Sequence, residues 1–163
     1  QGHLFMCEGE YIDREFILRV ILTNIKKYKL QKEKVYFYYD EFGAIDYVTI
    51  LDNFVTCVPV RQNLISISEH TKNFEELIND EMIFSNNDVF LWCLQNARKY
   101  ESNNLIKIQK ENKDSELKID AAISSLLSAI GIKQYLNTIQ KNNIIGNITT
   151  DNLINVFKSL YKL

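Results

Sequence analysis

The chain has 163 residues, of which 46% are apolar and 12% aromatic, so it has enough apolar material for the core of one ordinary globular domain. Its formal net charge of −2 at pH 7 excludes a general attraction to polyanions. No apolar run approaches the roughly 18 residues of a membrane span, and residues 1–4 lack the features of a secretion signal. We therefore expect a protein of the cell interior without a membrane partner.

The first third of the chain predicts a helix followed by a strand. Asp13 is a suitable N-cap for a helix with this apolar stripe: Phe16, Ile17, Val20, Ile21, Ile25 and Tyr28. Residues 35–39 are β-branched or aromatic without alternation, which favours a strand covered on both faces, as in an open α/β sheet. Asp40 then lies at the carboxyl end of that strand.

A second strand follows after a short connection. Gly43 separates the first strand from a short helix whose apolar positions are Ile45, Val48 and Leu51. Residues 54–58 predict a strand that ends at Pro59, the only proline of the chain. This order predicts β-α-β steps and therefore an α/β fold.

The middle of the chain predicts two more helices. Residues 68–80 predict a helix with an acidic, solvated face, and residues 86–100 predict another. The segment 101–114 is polar and turn-rich, and we expect it to be a loop. The cysteines lie far apart and inside apolar patterns, which favours buried, reduced thiols at Cys7, Cys57 and Cys93.

The clearest helical pattern lies near the carboxyl end. Apolar residues recur at offsets 0, 3, 4, 7, 8 and 11 from Ile119, and Gly131 is expected to close this helix. The remaining segment, 132–163, predicts a small helical tail rich in Asn and Lys. We therefore divide the chain into a core of residues 1–131 and this tail.

Asp40 and Asp120 are the best candidates for chemistry. Each has an ordinary structural explanation, since Asp40 suits a turn before Gly43 and Asp120 suits the first turn of a helix. Asp120 also lies beside the apolar stripe of its helix, where we expect it to face the rim of a sheet. Because open α/β sheets collect ligands at the carboxyl ends of their strands, the two carboxylates together predict a site for Mg²⁺ or a similar ion.

Five short patterns follow one another along the chain. The first is Gly2-x-Leu4 with Gly9-x-x-Ile12-Asp13, and the second is Tyr39-Asp40-x-x-Gly43-Ala44. The others are Arg61-Gln62 with Ser68-x-x-x-Lys72-x-x-x-Glu76-Leu77-Ile78, then Phe90-Leu91-Trp92-x-x-x-Asn96, and last Lys118-Ile119-Asp120-Ala121-Ala122. In this order they resemble the nuclease domain of the large terminase subunit of tailed bacteriophages, in its ribonuclease H-like form. The resemblance covers residues 2–131. It implies a ribonuclease H-like mixed sheet flanked by helices.

The resemblance also implies an activity. The parent protein would be a phage or prophage enzyme that hydrolyses concatemeric double-stranded DNA in the bacterial cytoplasm with two Mg²⁺ or Mn²⁺ ions. Asp40 and Asp120 would be its catalytic metal ligands, and a metal-activated water would be the nucleophile. Its partners would be the terminase ATPase domain, the small terminase subunit and the portal.

The chain departs from the family pattern in three ways. The first catalytic aspartate of the family lies upstream of the hairpin with which this chain begins, so we expect an N-terminally truncated domain with weak or no cleavage of its own. No Gly-x-x-x-x-Gly-Lys-Ser/Thr motif of an ATPase is present, and Ala121 replaces the usual glycine. The alternatives are therefore a catalytically silent DNA-binding or motor-assembly fragment, or a purely structural α/β domain.

A modest excess of lysine precedes Asp120. We expect Lys110 and Lys113 to contact the DNA backbone, together with Lys118 of the last pattern. The alternative is a solvated loop of mixed charge.

Overall fold

The computed structural model describes residues 11, 13–80, 87–112, 114 and 116–141. It divides the chain into two compact units, Gln1–Ile67 and Ser68–Leu163, which are taken in turn. The helices and strands are α1 (Arg14–Lys27), a 3-10 turn (Lys32–Lys34), β1 (Tyr36–Asp40), α2 (Ile45–Leu51), β2 (Thr56–Val60), α3 (Leu64–Asn79), α4 (Asp88–Asn96), β3 (Arg98–Ser102), β4 (Leu105–Gln109) and α5 (Asp120–Lys141). The predicted α/β class is confirmed as a mixed fold of helices with two small sheets.

Helix α1 begins where the sequence predicts. Asp13 is its N-cap, and the side chain accepts a hydrogen bond from the backbone N–H of Glu15 at 3.0 Å. The face of α1 that packs into the core of this unit is centred on Leu18, with Ile21, Leu22 and Ile25. Tyr28, which the predicted stripe includes, is 61% exposed because it follows the last helical turn.

Strands β1 and β2 form a parallel pair and α2 connects them along the chain, so the predicted β-α-β step is confirmed. The register runs from Tyr36 opposite Thr56 to Asp40 opposite Val60. The core of the unit consists of Leu18, Leu51 and Val55, with Phe37 and Cys57 packed against it. Tyr36, on the other face of β1, is 53% exposed, so the expectation of a strand covered on both faces is wrong at this residue.

Pro59 lies inside β2, where the sequence analysis expected it to end the strand. The backbone N–H of Thr56 donates to the carbonyl of Val35, so alternate residues of β2 direct their N–H groups toward β1. Pro59 falls on the other parity, and its missing N–H therefore costs no bond to β1.

The second unit contains a β-hairpin that the sequence analysis missed. β3 and β4 pair antiparallel through a two-residue turn, in a region predicted as the end of one helix and a loop. Both turn residues have positive φ, 51° at Asn103 and 61° at Asn104, which is the conformation of a type I′ turn. Asparagine tolerates this conformation, so the pair Asn103-Asn104 is a turn signal, but β3 itself does not alternate apolar and polar residues.

One face of α3 holds this hairpin through three side chains spaced one helical turn apart. Ser68 Oγ accepts the N–H of Ile106 at 2.9 Å, in a buried position. Lys72 Nζ donates to the carbonyl of Asn104 at 2.9 Å, and Glu75 pairs with Lys99 at 3.0 Å. The family-like spacing Ser68-x-x-x-Lys72 therefore has a structural explanation.

Helix α4 packs against α5. α4 is capped by Asn87, whose side chain accepts the N–H of Phe90 at 2.9 Å. α5 continues through Gly131 to Lys141, so the expected end at Gly131 is wrong. Glycine in a helix interior costs only about 1 kcal/mol relative to alanine, which the packing of the preceding turns can offset. Among the α5 residues whose side chains the structure describes, the buried ones are Ala122, Leu126, Leu127, Ala129 and Ile130.

The division into residues 1–131 and 132–163 stays a prediction, and residues 142–163 lie outside the described residues. Of the thiols, Cys93 is buried, Cys57 is half-buried and neither forms a disulfide, while Cys7 is outside the described residues. Among the helices that the structure describes, none is long and apolar enough to cross a bilayer.

Candidate functional site

Asp40 is the last residue of β1, at the carboxyl end of a parallel strand. Its carbonyl accepts the N–H of Gly43 at 3.2 Å, and its side-chain Oδ1 accepts the N–H of Phe42, also at 3.2 Å. These bonds form the turn that the sequence allows for Asp40. Oδ2 has no hydrogen-bond partner among the described residues, so one carboxylate oxygen is available to a ligand.

An ion pair lies at the same edge of the sheet. Arg61 follows β2 directly, as Glu41 follows β1, and its Nε lies 3.2 Å from Oε1 of Glu41. The Arg61 side chain is 70% exposed and that of Glu41 is 28% exposed, so the cation is the more accessible partner. The sequence gives Arg61 a place in a short pattern but no role, because its pairing with Glu41 depends on the register of two strands.

Asp120 is the first residue of α5, and its side chain is exposed. The neighbouring Ile119 and Ala122 are buried, and the expectation that Asp120 faces the rim of a sheet stays a prediction. The carbonyl of Ile119 accepts the N–H of Ile123 at 3.1 Å, which closes the first turn. A carboxylate in this position interacts favourably with the positive end of the helix dipole.

The start of α5 is fixed by a residue of another family-like pattern. Asn96, the last residue of α4, donates from Nδ2 to the carbonyl of Lys118 at 3.2 Å. This bond ties the segment before Asp120 to the end of α4. Asn96 is therefore a structural support for the candidate ligand, which the spacing alone did not reveal.

Asp40 and Asp120 belong to different compact units, and a metal ion shared between them stays a prediction. Both supply the carboxylate oxygens that Mg²⁺ and Mn²⁺ accept, so the donor type fits the expected ions. Within the described ranges, no group of three His, Cys, Asp or Glu side chains is arranged to hold a metal ion.

The three candidate DNA-binding lysines differ in what the structure says of them. Lys110 follows β4 and is half-buried, whereas Lys118 is exposed just before α5. Lys113 lies outside the described residues. Contact of these lysines with DNA stays a prediction.

A family model described as the terminase large subunit, endonuclease domain, matches residues 1–144, which is most of the chain. No curated protein and no solved structure matches the chain.

Proposed function

Because this chain belongs to the family of terminase large subunit endonuclease domains, we propose that it cleaves double-stranded DNA with Mg²⁺ or Mn²⁺ held by Asp40 and Asp120. The substrate would be the concatemeric DNA of a phage or prophage in the bacterial cytoplasm. The parent protein would work with the terminase ATPase domain, the small subunit and the portal. Its core would be a ribonuclease H-like mixed sheet flanked by helices.

The observation that supports this proposal best is the position of Asp40. The residue ends a parallel strand that is joined to its neighbour by a crossover helix, and ligands of open α/β sheets bind outside this edge. Oδ1 is committed to the turn, which fixes the orientation of the carboxylate, while Oδ2 has no partner among the described residues. A carboxylate that is oriented by one oxygen and open at the other suits a metal ligand.

The chain's own residues would act by position and charge. Asp40 and Asp120 would bind the ions and thereby fix the scissile phosphate for in-line attack by water. Bound divalent ions would supply the activated water and neutralise the charge that develops on the phosphate oxygens. The lysines Lys110, Lys113 and Lys118 would hold the flanking backbone.

The test uses asparagine substitutions with matched controls. Asp40→Asn keeps an oxygen for the Phe42 N–H but removes the charge, and Asp13→Asn does the same at the N-cap of α1. Asp120→Asn removes an exposed acid from the first position of α5, and Asp88→Asn does the same at α4. Within each pair, both substitutions make the same local change, and only one of them lies at the proposed metal site.

We expect Mn²⁺ binding, followed by electron paramagnetic resonance, to weaken at least about tenfold in Asp40→Asn and Asp120→Asn and to persist in both controls. Weak nicking of supercoiled plasmid under single-turnover conditions should follow the same order. Metal binding through both aspartates without any nicking would favour the catalytically silent fragment. Equal binding and nicking by all four variants would contradict the proposal.

A further inference from the structure

The turn after Asp40 carries the most exposed aromatic ring at this edge of the sheet. Phe42 is 88% exposed, although its backbone N–H is bonded to Asp40 Oδ1. Gly43, the next residue, has open space beside it, since a Cβ at this position would have nothing within 4 Å. The ring therefore stands at the tip of a turn whose backbone is anchored by the candidate metal ligand.

A single exposed apolar residue is ordinary on a protein surface, so exposure alone assigns nothing to Phe42. The position is informative because a cation lies beside the same turn. Glu41 binds Arg61 through Nε, and the Nη groups of Arg61 have no partner among the described residues. The edge thus presents a carboxylate, an aromatic ring and a guanidinium within one short turn and the end of the adjacent strand.

These three groups match three parts of one ligand. A guanidinium binds phosphate oxygens through paired N–H donors, and an orientation fixed at Nε leaves the terminal donors aligned. An aromatic ring stacks on a nucleic acid base, or inserts as a wedge at a base step, without requiring a particular sequence. A carboxylate binds the divalent ion that bridges to a phosphate.

We propose that Phe42 and Arg61 form a DNA contact at the carboxyl edge of β1 and β2, with the Phe42 ring against a base and the Arg61 guanidinium on a nearby phosphate. This inference rests on the proposed function, since it takes DNA as the ligand of the edge that holds Asp40. Glu41 is a positioning residue, which orients Arg61. The contact would make cleavage sensitive to how easily a base step opens and not to its sequence.

The test for the ring compares two fluorescein-labelled duplexes, one fully paired and one with a short mismatched bubble, in Ca²⁺ without Mg²⁺ or Mn²⁺. Unstacking is already complete in the bubble, so wild type should bind it at least about fivefold more tightly. Phe42→Ala should lose this preference and Phe42→Trp should keep it. Phe54→Ala is the control, because Phe54 precedes β2 at the opposite edge and is 46% exposed.

The test for the guanidinium is the salt dependence of binding to the paired duplex. Arg61→Gln should reduce the slope of log K against log salt concentration by about 1, as expected for the loss of one phosphate contact. Arg14→Gln is the matched control, since Arg14 forms an exposed ion pair with Asp46 at 2.8 Å in the same unit. The control should keep the wild-type slope.

Either of two results would overturn the inference. In the first, Phe42→Ala prefers the bubble duplex as strongly as Phe54→Ala does. In the second, the salt dependence of DNA binding has the same slope in Arg61→Gln and Arg14→Gln. Both readouts are binding measurements and need no cleavage. A chain that binds DNA as described but leaves plasmid intact with Mn²⁺ would contradict the nuclease proposal and support this contact. Nicking that depends on Asp40, together with DNA binding that is unchanged in Phe42→Ala and Arg61→Gln, would support the nuclease proposal and contradict this contact.

Discussion

Ser68 connects α3 to the β-hairpin of the second unit, and its removal should destabilise that connection. The side chain is 2% exposed, and its Oγ accepts the N–H of Ile106, itself 5% exposed, at 2.9 Å. This N–H belongs to β4 but is bonded to α3 and not to β3. Ser68→Ala removes the acceptor and leaves a buried N–H without a partner.

The magnitude follows from the burial of both groups. An unsatisfied buried donor costs about 1–3 kcal/mol, and alanine regains at most about 0.5 kcal/mol in helix propensity. The free energy of unfolding should therefore fall by about 0.5–2.5 kcal/mol. For a chain of this length, the melting temperature should fall by about 1–10 °C.

The assay is urea unfolding of Ser68→Ala beside Ser66→Ala, which changes an exposed serine on the same helix. Ser66→Ala should stay within about 0.5 kcal/mol of wild type, and the slope with urea should be unchanged in both. Exchange of the Ile106 amide hydrogen should also become faster only in Ser68→Ala. A pair of variants with equal stability would refute the reasoning, because the hydrogen bond would then contribute nothing.

Three further outcomes follow from local geometry. Asn104→Ala should lower the free energy of unfolding by about 1–2 kcal/mol and Asn104→Gly should not, since φ is 61° at this residue. Equal melting temperatures of the two variants would contradict this. Gly43→Ala should raise the free energy of unfolding by about 0.4–1 kcal/mol, because φ of Gly43 is not in the left-handed region and a Cβ would have nothing within 4 Å. A melting temperature below that of the wild type would contradict this. Burial raises the pKa of the Cys57 thiol above its ordinary value of 9.0, the charge of Asp52 raises it further, and Lys32 opposes them. Less thiolate is then present at pH 8, so a disulfide reagent should modify Cys57 more slowly than a free thiol and Asp52→Asn should speed the reaction, as mass spectrometry of the labelled peptide would show.

The sequence predicted those parts of the fold that depend on neighbouring residues. The N-cap at Asp13, the strand that ends at Asp40 and the crossover to β2 all follow from caps, β-branched runs and turn residues within a short stretch. The family was also identified from short patterns, and the match to residues 1–144 confirms it. Asp40 emerged as a candidate ligand in the same way.

The predictions from the sequence were wrong at the β3–β4 hairpin and at the end of α5. The helix predicted for residues 86–100 extends past the end of α4 into β3, although the apolar run that predicts it lies within α4. The polar composition around Asn103 and Asn104 predicts a loop, but the positive φ values of these two residues close a hairpin. The helix that was expected to end at Gly131 continues because glycine permits a helix end but does not force one.

Local sequence thus determined the elements, the caps and the two aspartates at element ends, because hydrogen bonds over two to four residues and side-chain periodicity govern those features. Tertiary structure alone decided which groups pair with a partner far away in the sequence. Ser68 and Ile106 are 38 residues apart, and Glu41 and Arg61 are 20 residues apart. Such pairs depend on strand register and helix packing, so no pattern within a single element specifies them.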